Sequence, residues 1–263
     1  MTPHVVASID SREPAAVRRI EVLRPLHWLG AGWRDLRRAG LPSLTHGLFV
    51  ACGGLLVLAL AARHWYLLPG AITGFVLVGP ILATGLYALS RHLESHAGAG
   101  WTPVLAAWRC GCRPFVLLGL LLVAAGTLWV MISAALFSVF VAAPIDDVHG
   151  FLRYVVTQPG HLFVLWTTLG GLVAALVFAS TVVSAPLLLD RRIHFLAALT
   201  TSVRAVGENP TAMALWAAII LLATVLSMAT AMLGFALAVP VIGHATWHAY
   251  RDVVDPAGLA SRV

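Results

Sequence analysis

FVLLGLLLVAAGTLWVMISAALFSVFVAA, residues 115 to 143, holds no charged residue. It is longer than the roughly 18 apolar residues that suggest a membrane-spanning helix. A second run, LFVLWTTLGGLVAALVFASTVVSAPLLL, covers residues 162 to 189 and is equally free of charge. The chain around them has the same character. Of its 263 residues 60% are hydrophobic and 11% charged, where a soluble domain has about 25% charged residues. Side chains of this kind need lipid as their solvent, so the sequence predicts an all-α, polytopic transmembrane helical bundle.

Six spans follow from the apolar runs: about 43–63, 70–90, 114–142, 161–189, 211–229 and 232–251. The last two form one apolar stretch broken at Ser227 to Gly234, which leaves open a single bent helix ending at Pro240. Residues 1–22, with Pro3, Asp10, Arg12, Glu13 and Pro14, show no periodic apolar face and predict a flexible cytoplasmic tail. Residues 23–42 predict an amphipathic helix lying in the interface. Leu26, Leu29, Trp33 and Leu36 recur there at three- and four-residue intervals, with Arg34, Asp35, Arg37 and Arg38 between them. The six-helix domain then occupies 43–254, and 255–263 form a cytoplasmic C-terminal tail. The first forty residues lack the pattern of a cleavable signal peptide, so the first span is expected to direct insertion.

A weak internal repeat favours six spans over five. Three times a basic or tryptophan-bearing segment leads through Gly and Pro into a spanning helix, which is followed by a second helix that carries a proline. The leading segments are Trp33 to Pro42, Trp108 to Pro114 and Val203 to Pro210, and the helix prolines are Pro80, Pro186 and Pro240. Three helical hairpins in one orientation follow; chance similarity among Gly- and Ala-rich apolar stretches is the competing explanation.

All 17 basic residues are arginines, and the formal net charge is +6. With the N-terminus inside, Arg63 and Arg153 alone fall on the outer side, as the positive-inside rule requires. The basic excess therefore reflects topology, and nucleic acid is not an expected partner. The lipid bilayer is, and another inner-membrane complex is a second candidate.

No Asp, Glu or Arg lies near the middle of a predicted span, which argues against ion-coupled transport. Two pairs, His92 with His96 and His244 with His248, are spaced i and i+4 near the cytoplasmic end, with His46 at similar depth. They are candidate haem or copper ligands. Histidines at helix ends more often meet water, lipid phosphate or the last carbonyls. Cys110 and Cys112 are candidate soft-metal ligands, although such thiol pairs often hold nothing. The expected cofactor is none. Gly-x-Ser-x-Gly, His-Glu-x-x-His and phosphate-loop patterns are all missing from the sequence, so nothing in it identifies an enzyme.

Arg24-Pro25-Leu26-His27-Trp28-Leu29, Gly32-Trp33-Arg34-Asp35-Leu36, Pro42-Ser43-Leu44-Thr45-His46-Gly47, Gly79-Pro80 and Tyr87-Ala88-Leu89-Ser90-Arg91 together resemble a bacterial family. It comprises predicted integral membrane proteins classed as a domain of unknown function. The resemblance extends over most of residues 20 to 254 and is sharpest between 24 and 94. It implies a Gram-negative inner membrane and no established activity. Some members carry a cytochrome c oxidase subunit I label, but a haem-copper catalytic subunit needs about twelve spans and a His-Pro-Glu-Val-like copper segment, and this sequence has neither. The expectation is a non-enzymatic accessory or interaction protein, with Arg24, Trp28, Trp33, Arg34, Arg37 and Arg38 as its interaction surface. The alternatives are a haem- or copper-binding accessory or assembly factor of a respiratory oxidase, and a carrier of a small neutral or lipidic molecule.

Overall fold

The computed structural model describes residues 11–61, 71, 75, 83–96, 98–109, 113–140 and 161–262. In chain order they form β1 (Ala16–Val17), α1 (Arg24–Ala39), α2 (Leu41–Ala61), α3 (Thr84–Leu93), α4 (Thr102–Arg109), α5 (Arg113–Phe140), α6 (His161–Thr181), α7 (Ser184–Asp190), α8 (Phe195–Glu208), α9 (Pro210–Ala229), α10 (Phe235–Val253) and β2 (Val254–Asp255). A short helix, a long apolar helix and a second helix follow one another three times, as α1–α2–α3, α4–α5–α6/α7 and α8–α9–α10.

Among the described residues four helical stretches are long and apolar enough to cross a membrane: Leu41–Leu60, Arg113–Phe140, His161–Asp190 and Pro210–Ala229. Leu56, Leu60, Met131, Leu176 and Leu221 project outward from them and are more than half exposed, a pattern that suits lipid rather than water. Most of the predicted span 70–90 lies outside the described residues. The span predicted at 232–251 falls on α10, which is separate from α9 but is not among the four helices apolar enough to cross a membrane. The two are joined by a turn in which Ala231 and Met232 take positive φ and the Met232 N–H donates to the Ser227 carbonyl. That separation replaces the single bent helix.

Proline chemistry sets the break between α6 and α7. Pro186 has no N–H, so the carbonyl four residues back, on Val182, loses its helical partner. At the same break the Val183 N–H donates to the Ser202 hydroxyl of α8 at 3.1 Å.

Two sequence expectations differ from the structure at the polar end. Residues 11–22 run along the protein: Ala16–Val17 pair antiparallel with Val254–Asp255, the Ala15 N–H donates to Thr201 Oγ1, and the Ile20 N–H donates to Asn209 Oδ1. The C-terminal residues are held too, with the Arg192 N–H on the Ala260 carbonyl and the Arg262 N–H on the Asp190 carbonyl. The two segments pair with each other at β1 and β2 and elsewhere take partners from residues 190–209, long-range contacts that composition does not reveal.

The second difference concerns α1, which does more than lie in the interface: it buries Trp28, Gly32, Asp35, Leu36 and Ala39, while Leu26 and Trp33 of its apolar stripe stay exposed. Packing against α10 decides this. A Cβ on Gly32 would meet the Val241 carbonyl oxygen at 2.5 Å and the Ala245 nitrogen at 2.7 Å, so α1 and α10 touch backbone to backbone. One residue without a side chain sets which face turns inward.

Candidate functional site

Four helices meet in a buried polar chain. Asp35 comes from α1, Ser43 from the first turn of α2, Ser90 from α3, and His244 and His248 from α10. The Ser90 hydroxyl donates to Asp35 Oδ2 at 2.7 Å. A serine has one proton to give, so Ser90 must accept from His244 Nδ1–H, also at 2.7 Å. Neutral His244 then presents Nε2 as an acceptor, and the Ser43 hydroxyl donates to it at 2.7 Å. His248 Nε2 donates to the same Asp35 oxygen at 2.8 Å. Ser43, Ser90 and His244 are essentially without exposure. Burial opposes ionisation of Asp35, but the bonds from His248 and Ser90 outweigh it and hold the carboxyl below its ordinary range.

A second cluster surrounds Asp190 at the end of α7. Arg91 of α3 pairs with it at 3.2 Å, Arg191 at 2.8 Å, and the Tyr250 hydroxyl of α10 donates to it at 2.7 Å. Next to it, Glu94 accepts from Trp247 Nε1 at 2.8 Å and pairs with Arg251 at 3.1 Å. Asp190, Glu94 and their partners thus tie together the last helices of all three repeats.

The six residues expected to form the interaction surface divide into two groups. Trp28 is buried and its Nε1–H donates to Asp252 Oδ2 at 2.7 Å; Arg24 pairs with the same carboxylate at 2.6 Å. Burial opposes ionisation of Asp252, but the bonds from Arg24 and Trp28 keep its carboxyl below the usual range. Arg38 donates to the carbonyls of Leu93 and His96 at 3.1 and 2.7 Å, closing the open end of α3. These three residues hold the fold. Trp33, Arg34 and Arg37 are left facing out, with the Arg37 guanidinium 5.2 Å from the Trp33 ring centre.

The candidate ligand histidines do not converge on one point. His92 and His96 stack on each other at 3.9 Å at the exposed end of α3. His244 has both ring nitrogens in hydrogen bonds, and His248 is bound to Asp35. His46 donates Nδ1–H to the Pro42 carbonyl at 2.7 Å and directs a buried, unpartnered Nε2 at Gly85, where a Cβ would collide with it. Among the described residues no three His, Cys, Asp or Glu side chains are grouped to hold a metal. Cys110 and Cys112 lie outside the described residues.

Beneath the polar chain is an apolar cavity of about 230 Å³, walled by Tyr87, Phe178, Val182, Ile220, Val239 and Ile242 among others. It lies beside the proline positions of the second helices, close in sequence to Pro186 and Pro240. Among the described residues no charged side chain lines it, and the hydroxyls of Thr181 and Thr246 on its wall are bonded back to their own helices.

Sequence reading passed over Asp35, Ser43 and Ser90. The signal for Asp35 was its spacing with Trp28, Gly32 and Ala39, at four, three and four residues, which marks one helical face. Nothing in the sequence distinguishes Ser43 or Ser90 from other serines at helix ends.

The family model described as "Predicted integral membrane protein (DUF2189)" matches residues 67–190. This is the family of predicted membrane proteins that the sequence resembles. The match takes in Gly79-Pro80 and Tyr87 to Arg91, and it leaves out the quoted motifs between Arg24 and Gly47. No curated protein and no solved structure matches the chain.

Proposed function

Starting from an integral membrane protein similar to that family, we propose a non-enzymatic accessory protein of the bacterial inner membrane, with both termini cytoplasmic. It acts through contacts made by the arginine-bearing side of α1. One observation carries this reading: of the six residues in the basic, tryptophan-bearing leader, Arg24, Trp28 and Arg38 are consumed internally, while Trp33, Arg34 and Arg37 stay outward on a helix clamped to α10. The clamp fixes the orientation of the exposed three, as a recognition surface on a rigid element requires. The test is to purify the protein in mild detergent with Trp33→Ala, Arg34→Gln and Arg37→Gln combined, and to compare copurifying membrane components and steady-state level with the parent. Unchanged components and level would remove the assignment.

The cavity supports a second reading, a carrier of a small neutral or lipidic molecule. Its walls are uncharged among the described residues, and its volume exceeds that of the about 150 Å³ apolar cavities that take up benzene-sized ligands. Filling it with Ala174→Phe should abolish any stabilisation by apolar ligands while leaving the fold intact, as read by thermal unfolding in detergent. A haem or copper role has less support, because His244 and His248 are already engaged in the Asp35 chain.

A further inference from the structure

α1 roofs an apolar groove that runs along the crease between α9 and α10. Leu26, Leu29, Gly30 and Trp33 form the roof, and the walls run down through Leu226 and Leu237 to the Thr230–Gly234 turn. Along α10 the lining residues extend from Val241 to Gly234, about 10 Å of helix. This is an open apolar groove against which a hydrocarbon chain can lie. Two cations stand at its upper rim. A guanidinium nitrogen of Arg34 lies 3.7 Å from where a Cβ on Gly30 would be, and the Arg37 guanidinium lies over Trp33 at 5.2 Å; Gly30 and Trp33 are both roof residues. Among the described residues neither arginine has an acidic partner, since the nearest acid in sequence, Asp35, turns inward to Ser90 and His248.

We propose that this groove binds an anionic phospholipid, one acyl chain lying in the α9–α10 crease and the phosphate held between Arg34 and Arg37. Guanidinium groups match phosphate oxygens in pairs of N–H donors, indole rings such as that of Trp33 favour the headgroup region, and two unpaired cations favour a headgroup with net negative charge over a zwitterion. The inference rests on the outward face of α1 being the contact surface, and it names the partner as lipid.

Native mass spectrometry of the full chain, released from nanodiscs containing equal phosphatidylglycerol and phosphatidylcholine, tests it. The parent should retain phosphatidylglycerol at least fivefold over phosphatidylcholine. Arg34→Gln with Arg37→Gln should bring that ratio to near one, Arg34→Lys with Arg37→Lys should keep most of it, and Arg204→Gln, on the exposed face of α8, should leave it unchanged. Ala223→Phe, which narrows the groove, should reduce retention of both lipids. Equal retention of the two lipids by the parent, a ratio unmoved by the double Gln variant, or displacement by water-soluble glycerol phosphate as effective as by diacyl lipid would each overturn the proposal. If the double Gln variant loses copurifying proteins while lipid retention is unchanged, lipid recognition fails and the contact surface stands. If neither changes, both fail.

Discussion

His244 joins Ser43 to Ser90, whose hydroxyl also reaches Asp35. Removing the imidazole by His244→Ala strands Ser43, leaves Ser90 with Asp35 alone and opens a cavity among four helices, for a loss of about 2–4 kcal/mol. Thermal unfolding in detergent should fall accordingly, while Ser43→Ala, at the end of the chain, costs about 1 kcal/mol. Asp35 adds a pH dependence of definite sign. Its carboxyl titrates lower in the folded protein than in the unfolded chain, so its contribution is complete above the ordinary carboxylate range of about pH 4. The contribution is lost as pH falls through the lowered folded value. An acid titration of stability should therefore be shallower for Asp35→Asn than for the parent. An equal slope in the two proteins would show that Asp35 does not carry this linkage.

At the level of elements, close approach is what joins α1 and α2 to α10. Gly47 faces the Ala236 carbonyl and the Pro240 ring so tightly that a Cβ has no room, as Gly32 does against Val241 and Ala245. Backbone atoms cannot move aside as a side-chain tip can, so Gly47→Leu should force the helices apart and cost about 3 kcal/mol or more. Its expected signature is loss of a monodisperse peak in detergent gel filtration. Gly171, on α6, has nothing within 4 Å of an added Cβ. Gly171→Ala should leave the protein unchanged or stabilise it by up to about 1 kcal/mol through better helix propensity. The same contrast explains the two faces of α1: helix contact favours Gly32, the residue that lets backbones meet, and leaves the large apolar groups of Leu26 and Trp33 exposed.

On the scale of the whole molecule, the clusters around Asp35, Asp190 and Asp252 lie at one end of the bundle, together with the paired N- and C-terminal segments. In the proposed topology that end faces the cytoplasm, as the arginine distribution would require. A C-terminal green fluorescent protein fusion should fluoresce and a C-terminal alkaline phosphatase fusion should be inactive; the opposite pattern would invert the topology. Deleting residues 11–22 removes the partners of β2, Thr201 and Asn209, and should lower the unfolding temperature without preventing membrane insertion, as read by membrane fractionation.

Sequence by itself determined the solvent, the helical class, the long apolar elements and the threefold order of short, long and second helix. These follow from local composition and period, which each stretch carries whatever it packs against. Tertiary structure alone decided which face of α1 turns inward, how Asp35, Ser43, Ser90 and His244 become one hydrogen-bonded chain, and which arginines of the leader stay free. Those outcomes depend on residues more than a hundred positions apart, such as Ser43 and His244, meeting at a helix crossing. A buried polar group has to find its partner across such a crossing, and no window along the chain contains both.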